Sequence, residues 1–197
     1  MKKYLFFFLV LIVVTCKAQD APGIYYNGKK LGYSRMVGKR VGNALGAYMT
    51  MGLTTVKINR VVEGATAELE VTEKKPEFKV VFGEKDFTTG FIFTDRENLN
   101  RLLLVKLSVK KKNRNLNVGK YGITKIKTQT DEDNLVQLAI DQTDENTYTI
   151  HPREELEEGT EYCFYYRTDK DDKEEHHNFD GVFDFKTPAP VKGKKKK

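Results

Sequence analysis

Tyr148-Thr149-Ile150-His151-Pro152 and, three residues later, Leu156-Glu157-Glu158-Gly159-Thr160-Glu161-Tyr162-Cys163-Phe164 are the stretch whose reading decides the fold. Tyr148 and Ile150 are large and alternate with polar residues, and Tyr162, Phe164 and Tyr166 repeat that spacing after the Glu158-Gly159 turn. A period of two marks a strand with one face turned to a core. Outward from there the same signal recurs. Phe183 and Phe185 follow, while Val136, Leu138 and Ile140 precede. Upstream lie Val56 with Ile58, the set Ala67, Leu69 and Val71, then Phe78, Val80 and Phe82 behind Pro76, and Val105, Leu107 and Val109. Turn-rich segments separate these runs, at Glu63-Gly64, Lys112-Asn113-Arg114 and Asp144-Glu145-Asn146. Short strands at such intervals predict an antiparallel sandwich or barrel.

The opening stretch resembles the end of an immunoglobulin- or fibronectin-type sandwich, in which a Leu, a turn Gly and a Tyr precede the penultimate strand. That resemblance implies that Leu156 packs under the turn and that the Tyr162 hydroxyl bonds back to the corner backbone. A wider resemblance rests on Gly23-Ile24-Tyr25-Tyr26, Gly52 to Val62 with Gly64 and Ala67, and the Pro76–Phe82 run. It continues through Leu104-Val105-Lys106-Leu107, Lys112-Asn113-Arg114 to Gly119, Tyr162-Cys163-Phe164 and Val182-Phe183-Asp184-Phe185. In these the chain is similar to a set of uncharacterised secreted bacterial proteins. The resemblance implies one exported β-rich domain and supplies no site residues. The fold expected is all-β: a single antiparallel sandwich of immunoglobulin-like type, with a glycine-rich loop or short helix near residues 36–52. That segment carries Gly38, Gly42 and Gly46 at four-residue spacing, with Val37, Val41, Leu45, Tyr48 and Met49 between.

The two ends read differently from the middle. Residues 1–19 have the form of a signal peptide: Lys2 and Lys3, then the apolar run Tyr4–Val14, then small residues before a cut after Ala18. The run is shorter than the roughly 20 apolar residues that span a bilayer. Val13-Val14-Thr15-Cys16 also resembles a lipobox, which would make Cys16 a lipidation site instead. Residues 20–187 form the expected domain, and 188–197 a disordered basic tail.

The chain of 197 residues has a formal net charge of +6. Partition changes its meaning. Residues 1–19 carry +3, residues 191–197 carry +5, and residues 20–190 carry 26 basic and 28 acidic groups, a net of −2. Within that domain residues 20–130 hold 21 basic and 10 acidic groups, while 131–190 hold 5 and 18. A near-neutral exported domain without an aromatic-interleaved basic motif excludes nucleic acid as a partner. Its basic half points instead to an anionic envelope polymer or a lipid surface. The candidate anion-binding residues are Lys106, Lys110, Lys111, Lys112 and Arg114, read as one outward strip along a strand and its hairpin turn. The competing reading is edge protection, in which lysines discourage sheet-to-sheet pairing.

Catalytic signatures are sparse. Ser34 and Ser108 are the only serines, and no GxSxG is present. Cys163 sits between strand aromatics and reads as a small buried hydrophobe rather than a thiol paired with His151. The acidic loop offers Asp169, Asp171, His176 and His177 as a weak metal set. A calcium loop starting at Asp169 fails, because Lys173, Glu174 and Asp180 stand where a ligand, the Gly and the last Glu belong. No cofactor is implied. The function expected is a non-catalytic envelope or secreted binding or scaffold module, without a transmembrane helix once the signal is cut. The alternative is an envelope-polymer hydrolase using paired carboxylates about 5–10 Å apart.

Overall fold

The alternating runs fold as antiparallel strands in two sheets. The structure is a computed structural model, and it describes residues 20–41, 56–84, 92–121, 126–127, 132–167 and 181–190. In chain order these give β1 (Gly23–Tyr26), β2 (Lys29–Lys30), β3 (Tyr33–Val41), β4 (Val56–Val62), β5 (Phe78–Val81), β6 (Leu102–Lys106) and β7 (Ser108–Lys110). Then come β8 (Asn113–Tyr121), β9 (Ile126–Lys127), β10 (Leu135–Val136), β11 (Leu138–Asp144), β12 (Thr147–Pro152), β13 (Glu161–Tyr166) and β14 (Gly181–Lys186). The first sheet is ordered β11-β12-β5-β1-β2 and the second β10-β6-β13-β14-β3-β4-β8-β7, with β9 on β8.

Within this order β1-β5-β12-β11 faces β6-β13-β14, the four-on-three arrangement of an immunoglobulin-type sandwich. Two insertions enlarge it. The chain between β1 and β5 supplies β3 and β4, and the chain between β6 and β10 supplies β7, β8 and β9. These extend the second sheet past β14. Only Leu107 separates β6 from β7, yet β6 lies near one end of the strand order and β7 at the other. The second sheet therefore curls back on itself as a half-barrel.

Pleating then builds two cores, because successive side chains point to opposite faces. Leu104, Phe164, Phe183 and Phe185 face the sandwich, where Phe78 meets the Phe164 ring at 4.9 Å and the Phe185 ring at 5.0 Å. Val105, Cys163 and Val182, one step along the same strands, face the half-barrel with Met36, Val62, Leu107 and Leu116. That explains why β13 and β14 are almost wholly buried: a strand covered on both faces reads as a continuous apolar run.

The corner expected from the opening stretch is present. The Glu157 backbone N–H donates to the Tyr162 hydroxyl at 3.0 Å, and Leu156 is buried beneath it. Thr187 Oγ1 donates to the Glu157 carbonyl at 2.6 Å and locks the turn to the end of β14. Pro188 continues this contact, accepting the Gly159 N–H at 2.7 Å, so the first residues assigned to the basic tail lie against the corner. The glycine-rich segment needs a correction over its first part. Residues 36–41 belong to β3 rather than to a loop or short helix. Pairing with β14 and β4 outweighs the helical spacing of the glycines, and Gly38, at φ +71°, sits where the β3–β4 register shifts. A left-handed Gly at such a shift is a bulge device. Residues 42–52 lie outside the described residues.

Candidate functional site

The basic run divides by register into three environments. Lys106 ends β6, is half-buried, and pairs with Glu157 beside the tyrosine corner. Lys110, Lys111 and Lys112 are exposed together where β7 turns into β8, with Lys111 in the left-handed region at φ 58°. Arg114 does not share that surface. It pairs with Val62 across β4 and β8, and Val62 in turn pairs with Met36, so Arg114 joins an inward-facing row. It is 1% exposed. The expected single strip is therefore corrected: Arg114 leaves it, and Lys106 is occupied.

Inside the half-barrel Arg114 organises a charged network. Its Nη1 donates to Asp184 Oδ2 and, at 3.4 Å, to Glu161 Oε2. Its Nε donates to the Gly64 carbonyl at 3.2 Å, and its Nη2 to the Glu63 carbonyl. The carboxylates are held from their other sides as well. Ser34 Oγ donates to Asp184 Oδ1 at 2.9 Å, Thr66 Oγ1 to Glu161 Oε1 at 2.5 Å, and the Ala67 N–H to Glu161 Oε2 at 2.9 Å. Gly64 makes the clasp possible: its φ is +85°, and a Cβ there would stand 3.3 Å from Arg114 Nη2. A buried ion pair persists only when its remaining lone pairs and protons are satisfied, and here the acceptors are satisfied from both sides.

This network floors a cleft of about 560 Å³ where β2 and β3 meet the turn after β4. Residues of β2 (Lys29, Lys30) and β3 (Tyr33, Ser34, Arg35) line it together with Glu63, Gly64, Thr66 and Glu68. Sequence reading missed this site. The available signal was Asp184 between Phe183 and Phe185: an acid inside a strand buried on both faces requires a cation, and Arg114 supplies it.

The other candidates are placed as follows. Cys163 is fully buried, and burial, reinforced by Asp184 and opposed by Arg114, pushes its thiol well above the usual range. It faces the half-barrel, whereas His151 lies on the first sheet with its Nδ1 3.8 Å from Asp141 Oδ2, so the two are not brought together. Ser34 serves Asp184 as a donor, and Ser108 Oγ lies 3.4 Å from the Asn115 carbonyl. Asp169, Asp171, His176, His177 and Cys16 lie outside the described residues. Among the described residues no group of three or more His, Cys, Asp or Glu converges to hold a metal, and no helix is long and apolar enough to cross a membrane.

In this site the fold class and the chemistry meet: a two-sheet antiparallel sandwich, enlarged by a half-barrel with a charged floor. Compared with known proteins, the chain matches no family model, no curated protein and no solved structure.

Proposed function

We propose that this chain is an exported, non-catalytic binding module that engages an anionic polymer of the cell envelope through the β7–β8 hairpin. One observation carries the reading. Lys110, Lys111 and Lys112 stand exposed on a single tight turn, and none of them pairs with a carboxylate among the described residues. Three adjacent ammonium groups raise the local positive potential and gather a polyanion by long-range attraction. The signal-like segment at residues 1–19 supports delivery to the envelope. Glu161 and Asp184 support the non-catalytic half of the reading. They are the two carboxylates that share one buried partner, and both are committed to Arg114, Ser34, Thr66 and the Ala67 N–H. Paired carboxylates in a glycosidase instead point at a substrate oxygen and a water.

The test is co-sedimentation of the purified chain with isolated envelope polymer and with vesicles of anionic lipid. K110Q/K111Q/K112Q is expected to lose most of the bound fraction at low salt while melting like the wild type. Retention of the full bound fraction in that variant would refute the hairpin as the contact. Capture by vesicles but not by polymer would assign the anion to lipid.

A further inference from the structure

The first sheet ends at β11, and this edge differs from the others that the fold leaves open. We propose that β11 pairs antiparallel with β11 of a second copy of this chain, about a two-fold axis at Ile140, so that the two first sheets become one.

An open edge invites pairing with another chain, and lysine, proline or short length is the usual defence. Among the described edge strands, β2 is Lys29–Lys30 alone, β7 carries Lys110, β9 carries Lys127, and β10 is two residues long. By contrast, β11 runs for seven residues, Leu138–Asp144, with neither lysine nor proline. Residues 140–144 are exposed throughout.

The backbone is set to receive a partner. In an antiparallel ladder, residues alternate between bonding the strand on one side and the strand on the other. The Arg153 N–H donates to the Gln137 carbonyl at 2.9 Å, so the residues in step with Gln137, namely Ala139 and Asp141, bond β12. The other side of β12 agrees. There the Phe82 N–H donates to the Asn146 carbonyl at 2.8 Å, which places Tyr148 and Ile150 in the bonds to β5. The N–H and C=O groups of Leu138, Ile140 and Gln142 therefore point to the open edge. Of these, the Leu138 carbonyl accepts from Arg153 Nε at 3.4 Å and keeps a second lone pair.

Side chains choose the partner. Ile140 pairs with Ile150, which pairs with Phe78, so Ile140 stands on the sandwich side of its sheet. It is nevertheless 42% exposed, because the facing sheet offers only β10 at that end. A second β11 brings the same isoleucine. With Ile140 opposite Ile140 of the second copy, Leu138 meets Gln142 and Ala139 meets Asp141, each twice by symmetry. The outward backbone groups then bond one another, the two isoleucines cover each other, and each carboxylate faces a methyl group. Sliding the strands by two residues to centre on Asp141 would set two carboxylates face to face, a destabilising pair. Sliding the other way would pair only residues 138–140 of the two strands. A slip of one residue would send the isoleucines to opposite faces.

A single strand pair buries less than the roughly 1,200 Å² of a standard interface, so a dissociation constant between about 1 μM and 1 mM is expected. Sedimentation equilibrium of the purified chain, over a series reaching about 1 mM, should show the mass rising toward twice that of one chain. It should rise no further, since an isologous contact closes at two subunits. Amide exchange read by NMR should slow at Ile140 and Gln142 as concentration rises, while Ala139 and Asp141, already bonded to β12, change little. I140K sets two cations face to face and should weaken association at least about tenfold while melting like the wild type. Q142P removes an outward N–H only and should weaken it comparably. V109K, at an apolar side chain 51% exposed on β7, should associate as the wild type does. A monomer at every concentration would overturn the proposal. So would full association in I140K, an equal loss in V109K, or growth beyond the dimer.

Discussion

Arg114 shows how far one residue's meaning depends on register. In the sequence it ends the run Lys110-Lys111-Lys112-Asn113-Arg114 and looks like a fifth surface cation. In the fold, the turn at Lys111 and the pairing of β8 with β4 send its side chain inward to Asp184 and Glu161. Alternation within a lysine-rich hairpin could not reveal this, because the inward face is set by where the turn falls and by strands more than 40 residues away in sequence. R114M should destabilise the chain by about 3–5 kcal/mol, since it leaves two buried carboxylates without their cation. Urea unfolding checks it, and a loss under 1 kcal/mol would mean that the network contributes little. Tyr162 is the opposite case, legible from the Leu, Gly and Tyr spacing alone. Y162F removes the acceptor of the Glu157 N–H and should cost about 1 kcal/mol in the same assay.

At the scale of elements, the alternating runs predicted most strands, and the second core was the part that could not be read. Cys163 was legible as buried, but neither it nor Val182 could be read as belonging to a different core from Phe164 and Phe183. That division follows from the half-barrel, which two distant insertions build. The Met36–Val41 segment shows the same limit. Its glycines suggested a loop or helix, and strand pairing with a bulge at Gly38 overrode that local preference. The two-sided burial of β13 has a consequence for pH. The Cys163 thiol is held above its ordinary 9.0 in the fold, so above about pH 9 the unfolded chain releases this proton and the folded chain keeps it. Stability must then fall as pH rises, with a slope of up to about 1.4 kcal/mol per pH unit from this group. The hydroxyls of buried Tyr162 and half-buried Tyr165, both raised by desolvation, add to the fall above pH 10. Unfolding at pH 8, 9 and 10 should show a shallower decline in C163A, and an identical decline would remove Cys163 as its source.

For the whole molecule, charge is the property that changes most between sequence and structure. The basic excess of residues 20–130 does not form one face. Part of it is neutralised inside the half-barrel at Arg114, part is paired at Lys106, part stands on the hairpin tip, and part rims the cleft at Lys29, Lys30 and Arg35. The sandwich, its corner and the outward lysines were within reach of the sequence. The cleft was not, because Tyr33, Glu63, Arg114 and Asp184 come from four separate segments and none carries a motif. The central claim is that Arg114 belongs to the interior and fastens the half-barrel, instead of joining the hairpin lysines on the surface. Arginine footprinting with phenylglyoxal, read residue by residue by mass spectrometry, tests this most directly. Arg35 should be modified rapidly in the native protein, while Arg114 stays protected until urea unfolds the chain. Modification of Arg114 at the rate of Arg35 under native conditions would contradict the account.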